Sequence, residues 1–120
     1  VLEVHGGADW VDLCRRHPLD VTWSRRSCWS QFTDRAGPWV IPDWHAVRLE
    51  WDAVHLTVSA WLSAAGRALD LGDGRASVIA GWDPDRTFWL CDVAPEGGVV
   101  EWRREQSERC GGAEVWHRAT

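Results

Sequence analysis

The sequence predicts an α+β domain: N-terminal helices packed on one face of an antiparallel sheet of about four to five strands. Three observations predict it. Apolar residues recur at helical spacing near the N-terminus and at alternating spacing after residue 53. The clusters Gly72-Asp73-Gly74 and Asp83-Pro84-Asp85-Arg86 punctuate the second half as turns. Helix-like stretches precede strand-like ones, an order that separates helices from the sheet. A chain of 120 residues supports one core, so a single domain over residues 1–120 is expected, complete or as a piece of a longer chain.

Leu2 and Val4 alternate with Glu3 and His5, which predicts a short strand broken by Gly6-Gly7. Trp10, Leu13, Cys14 and His17 then recur at helical spacing over residues 8–17. Arg15 and Arg16 suit the negative end of that helix, and Pro18 stops it. Residues 19–42 are irregular and aromatic, with room for a short helix over Ser24–Asp34. Asp43 is placed to cap a helix over 44–51, with Trp44, Val47 and Trp51 on one face. Val54, Leu56, Val58, Ala60 and Leu62 alternate with His55, Thr57, Ser59 and Trp61, the pattern of a half-buried strand. Ala68–Leu71 predicts a short strand before the Gly72 turn.

Ser77–Trp82 and Thr87–Val93 predict a hairpin closed by the Asp83-Pro84 turn. In that register Trp89 faces Ala80 and joins the core, so that Trp89→Ala would cost ~3–5 kcal/mol. Asp85→Ala in the turn would cost under ~1 kcal/mol. A last strand is expected near Val99–Arg103, before a polar tail with little pattern.

Eleven residues are Trp, while Tyr, Met, Lys and Asn are absent. The missing residues use AT-rich codons and Trp a GC-rich one, so the bias points first to a GC-rich genome. Its physical consequence is too much indole surface to bury in so short a chain, and a Trp-lined groove is expected. The net charge of −5 is spread evenly over the two halves, which disfavours nucleic acid as a partner. The local exception is Arg15, Arg16, Arg25 and Arg26, read as a solvated basic face, with an anion contact as the alternative. No apolar run approaches the ~20 residues of a membrane span and no charged-then-apolar leader is seen, so a cytoplasmic location without membrane attachment is expected.

The four cysteines, Cys14, Cys28, Cys91 and Cys110, lack the paired spacing of zinc ribbons and redox motifs. They are expected as reduced thiols, Cys14 and Cys91 in the core. Cys14 with His17 and Cys110 with His117 is the one combination that could form a zinc site. The spacing is loose, and no metal or cofactor is expected.

Two stretches, Trp51-Asp52-Ala53-Val54-His55-Leu56-Thr57-Val58 through Ala68 and Ala80-Gly81-Trp82-Asp83-Pro84-Asp85 with Thr87-Phe88-Trp89-Leu90, carry a family likeness. Together with Pro42-Asp43-Trp44 they resemble a group of small uncharacterised actinobacterial proteins. The resemblance covers roughly half the chain. It implies an intact fold and a host lineage but no activity, because none is established for that group.

Phosphate loops, dinucleotide fingerprints, HExxH and GxSxG motifs are all absent. The most chemical-looking set is His55, Thr57 and Ser59 on one strand face with Asp52 upstream, a possible base and nucleophile. Asp92 joins Asp52 as a candidate carboxylate pair, while Asp83 and Asp85 are explained by the turn. Weighed against these, Trp51, Trp61, Trp82 and Trp89 form the expected ligand-binding set. The leading expectation is a non-catalytic binding module whose Trp-rich groove holds a protein partner or a small ligand. A small transferase or hydrolase built on His55 is the alternative, and a toxin–immunity type partner is compatible with size and acidity.

Overall fold

A computed structural model describes residues 1–92, 97–106 and 114–119 of the chain. Strand β1 (Leu2–Val4) leads into helix α1 (Gly7–Arg16), as the apolar spacing predicts. Trp10, Leu13 and Cys14 form the buried stripe of α1, and the His17 N–H closes its end on the Leu13 carbonyl at 3.0 Å. The helix starts close to its neighbours: a Cβ on Gly7 would meet Leu69 at 3.2 Å and Ala64 at 3.4 Å. Pro18 ends the helix and opens β2 (Pro18–Asp20), which pairs antiparallel with β3 (Val40–Pro42).

Half of the 19–42 stretch is helix α2 (Thr22–Thr33), close to the short helix expected over Ser24–Asp34. Asp20 turns the chain into it by accepting from the Thr22 N–H at 2.9 Å. Its periodicity is weak because Trp29 is its one buried residue. The expected Asp43 cap forms over α3 (Trp44–Val47), with the carboxylate accepting from the His45 N–H at 3.1 Å.

The predicted nine-residue strand is corrected. Only Ala53–Leu56 is strand β4, and Val58–Ala64 is helix α4. The switch lies at Thr57. Its hydroxyl accepts from the Ala60 N–H at 3.1 Å as a helix N-cap, and its backbone N–H donates to the Val4 carbonyl at 3.2 Å. Ala60 and Ala64 are then buried four residues apart, while Val58 and Leu62 face solvent. Ala60, Trp61, Ala64 and Ala65 also recur at helical spacing, so the segment carries both periods, and here the capping threonine decides. Gly66, at a φ of 73°, takes the left-handed position that follows the end of α4.

The sheet is also smaller and differently wired than expected. It has three strands in the order β1-β4-β7, with β1 parallel to β4 and β7 (Arg86–Trp89) antiparallel to it. The Ser77–Trp82 to Thr87–Val93 hairpin does not form. Ala76–Ser77 is strand β6 and pairs with β5 (Leu69–Asp70) across the Gly72 turn. Phe88 lies opposite Val54 and Trp89 opposite Ala53, not opposite Gly81 and Ala80. The positive φ of Gly81, 72°, interrupts the extended run that a local hairpin would need. Val78 and Ile79 are buried instead in two different core clusters. Beyond these, β8 (Trp102–Gln106) overlaps the last strand expected near Val99–Arg103 and pairs antiparallel with β9 (Glu114–Arg118), which lies in the weakly patterned tail.

The main core gathers Val4, Trp10, Leu13, Val54, Leu56 and Ile79 between α1, α4 and the three-stranded sheet. A second cluster joins Trp29, Trp39, Ala76 and Val78, with the Trp29 and Trp39 rings edge-to-face at 5.6 Å.

Two outcomes follow. Thr57→Ala is expected to lose about 1–2 kcal/mol in chemical denaturation, with Thr57→Ser close to wild type; equal stability of all three would remove the cap. Burial pushes the Cys14 thiol up to about 11, offset in part by the Ser77 hydroxyl and the charge of Arg75. The unfolded chain therefore releases that proton first, so the stabilisation is complete below about pH 9 and is lost as pH rises towards 11. With no Lys or Tyr, little else but thiols titrates there. Wild-type stability is expected to fall by up to about 1.4 kcal/mol per pH unit in that window, more steeply than in Cys14→Ala. Parallel slopes for the two proteins would refute it.

Candidate functional site

An open cleft of about 420 Å³ lies where α1, α2, β3, α3, the 78–82 segment and β7 approach one another. Three of its indoles pack mutually. Trp10 meets Trp44 at 5.9 Å and Trp82 at 5.6 Å between ring centroids, and Trp44 meets Trp82 at 5.7 Å, all in edge-to-face geometry. This arrangement sets the positive rim of each ring against the negative face of the next. Phe88 extends the cluster, edge-on to Trp82 at 4.7 Å.

Two of the three indoles are held by hydrogen bonds as well as by packing. Trp10 is 3% exposed, and its N–H donates to the buried Ser77 hydroxyl at 2.9 Å. The Trp82 N–H donates to the Arg86 carbonyl at 3.3 Å. Trp61 donates its own N–H to the Trp82 carbonyl at 2.7 Å. Phe88 and Trp89, 45% and 52% exposed, border the cleft from β7, which is an edge strand of the sheet. The expected burial of Trp89 is thereby corrected. All four residues of this edge strand are exposed, although Ala53 opposite Trp89 and Val54 opposite Phe88 are both buried.

Of the four Trp expected to bind a ligand, Trp82 and Trp89 line the cleft. Trp61 and Trp51 do not. Trp61 supports Trp82 from behind through its hydrogen bond, and Trp51 packs against the main core. Sequence reasoning missed Trp10, Trp29, Trp44 and Phe88, which line the cleft. Trp10 and Trp44 did stand on predicted apolar helix faces, but a core-facing stripe carries no mark of the point where the core opens to solvent.

His55, Thr57 and Ser59 do not share a strand face, because the strand ends at Leu56. Thr57 is the cap of α4 and Ser59 is exposed on that helix. His55 finds other partners. Its Nε2 lies 2.9 Å from an Asp85 carboxylate oxygen, and its Nδ1 lies 3.7 Å from Glu3. The register makes Glu3, His55 and Thr87 one row across the three strands. Asp52 and Asp92 do not border this cleft. Asp52 accepts from the Cys91 thiol at 3.2 Å, and that carboxylate raises the thiol pKa, keeping Cys91 protonated rather than activated.

The other expected sets are also dispersed. Cys14 is buried in the core and His17 faces Glu50 at 3.4 Å, while Cys110 lies outside the described residues. No three His, Cys, Asp or Glu side chains among the described residues stand together as metal ligands. The four arginines do not form one face. Arg16 pairs with Asp12 at 3.1 Å and Glu50 at 3.6 Å, and Arg15 donates to the Leu71 carbonyl at 2.8 Å. On α2, Arg26 lies over the Trp23 ring at 4.2 Å and Arg25 over Trp29 at 5.9 Å.

No family model matches the chain, and no curated protein or solved structure matches it. Among the described residues, no helix is long and apolar enough to cross a membrane.

Asp85 sits at a φ of 56° and holds the turn against His55. Asp85→Ala puts an unassisted Cβ into the left-handed region and is expected to cost about 1–2 kcal/mol, more than turn chemistry alone suggests. Asp85→Gly loses the His55 contact but not the backbone freedom and should be the milder change. Equal denaturation midpoints for the two variants would show that the backbone conformation contributes nothing.

Proposed function

We propose that this protein is a non-catalytic binding module whose Trp-rich cleft takes a small, largely apolar ligand. The observation that carries the reading is convergence: rings from α1, α2, α3, the segment after β6 and β7 border one concave space of about 420 Å³. That size falls in the range of roughly 300–1,000 Å³ typical of small-molecule sites. Its floor is rigid, since Trp10 and Trp82 are locked by hydrogen bonds and mutual packing. Its rim, Phe88 and Trp89, is exposed apolar surface, the type of ring that anchors bound partners. A concave floor favours a compact ligand over a flat protein surface.

The enzyme alternative has less support. The His55–Asp85 pair borders no part of the cleft, and neither side chain has a hydroxyl or thiol hydrogen-bonded to it among the described residues. A base with no hydroxyl or thiol within hydrogen-bond reach has no side-chain nucleophile to activate.

The test uses N-phenyl-1-naphthylamine, a neutral reporter that fluoresces in apolar sites and accepts energy from Trp. Saturable binding to the wild-type protein is expected. Trp89→Ala is expected to weaken it by about tenfold, one unit of 1.4 kcal/mol, while changing stability by less than ~1 kcal/mol because the ring is half-exposed. Reporter binding that is absent, or identical in the two proteins, would refute the cleft as the site.

A further inference from the structure

Resting on the reading of the cleft as a ligand site, we infer that the ligand is an organic anion: a planar apolar body carrying one acid group, which Arg25 holds. Among the described residues, Arg25 is the one ionisable side chain that borders the cleft, and the other bordering residues are aromatic, aliphatic or glycine. An acid group entering there meets a cation and, among the described residues, no carboxylate. A cationic ligand would meet the same guanidinium with nothing to neutralise either charge, so the sign of the site selects against it.

Arg25 is also uncommitted. Arg16, Arg75 and Arg86 each pair with a carboxylate, at 3.1 Å to Asp12, 2.6 Å to Asp73 and 2.6 Å to Asp83. For Arg25 the contact in the described residues is the Trp29 ring at 5.9 Å, with no ion pair and no hydrogen bond from its guanidinium. The cause lies in the sequence of α2, Thr22–Thr33, which contains no Asp or Glu and so offers no intrahelical partner one turn away. A ring contact leaves the edge of the guanidinium plane free, and that edge carries the N–H fork that matches a carboxylate or sulfonate with two parallel hydrogen bonds.

The body of the ligand follows from the walls. Trp44, Trp82, Phe88 and Trp89 present ring surface in several orientations, which suits a flat aromatic body more than a flexible chain. The N–H groups of Trp10 and Trp82 are taken by Ser77 and the Arg86 carbonyl, so these two rings offer surface rather than hydrogen bonds. The charged anchor is Arg25.

The experiment is calorimetric titration with 2-naphthoate and with its neutral isostere 2-naphthamide. Wild-type protein is expected to bind the carboxylate about tenfold more tightly or better, as fits a charge-assisted pair. The preference should shrink as salt is raised, because Arg25 is exposed. Arg25→Gln should bring the two affinities together by weakening naphthoate alone, and Arg25→Lys should keep part of the preference. Arg26→Gln, next along the helix and outside the cleft, should change neither. Because Arg25 is exposed, its variants are expected to keep the wild-type thermal midpoint. Equal wild-type affinities, or a preference that survives Arg25→Gln, would overturn the anion inference; if Trp89→Ala still weakens the amide, the cleft reading stands. Binding of neither compound would overturn both.

Discussion

The buried indole of Trp10 is the constraint on which the rest of the structure depends. It sits on the inward stripe of α1 at 3% exposure, and its N–H would be costly without a partner in that interior. The partner is the hydroxyl of Ser77, itself fully buried on β6. One hydrogen bond thus ties residue 10 to residue 77 and fixes where β6 lies against α1. The same ring makes two of the three edge-to-face contacts in the indole triad. The packing of the core and the floor of the cleft are therefore one arrangement.

The polar groups are arranged on the opposite principle. Asp43, Thr57, Asp20 and Asp73 accept from nearby backbone N–H groups and shape caps and turns. The Thr22 N–H holds the Asp20 carboxylate below the usual range, and the Arg75 guanidinium, ahead of the Arg75 backbone N–H, does the same for Asp73. The described thiols with shifted pKa are both pushed up, Cys14 by burial and Cys91 by the Asp52 carboxylate. Nucleophilic chemistry requires the reverse, a thiol lowered by a cation or a helix N-terminus. What the indole cleft concentrates, among the described residues, is ring area and one guanidinium.

The eleven Trp residues illustrate how composition and architecture combine. Trp10, Trp29 and Trp39 are buried; Trp44, Trp51, Trp61 and Trp82 are half-buried; Trp23, Trp89, Trp102 and Trp116 are exposed. A compositional bias towards indole explains the total but not the sorting. Trp102 and Trp116 share one face of the β8–β9 pair, since Trp102 lies opposite Arg118 and Arg104 opposite Trp116. Exposed indoles there are separate from the cleft, so the Trp count by itself does not locate a site.

The sequence by itself determined the elements whose signals are local. Pro18 ends α1, Asp43 caps α3, Gly72-Asp73-Gly74 turns β5 into β6, and the apolar spacing of Trp10, Leu13 and Cys14 places the inner face of α1. Each depends on bonds within a few residues, so the responsible side chains stand beside their effect. Only the tertiary structure decided the pairing of β7 with β4, the parallel placement of β1, and which rings line the cleft. A strand edge accepts any partner whose backbone groups complement it, and the choice between β4 and the nearer 77–82 segment is made by what each must bury. Val78 and Ile79 go to two different core clusters, which removes them as a hairpin partner and leaves β7 to complete the sheet. The cleft is the space those competing demands leave open between elements distant in sequence, and no local pattern of residues encodes a space.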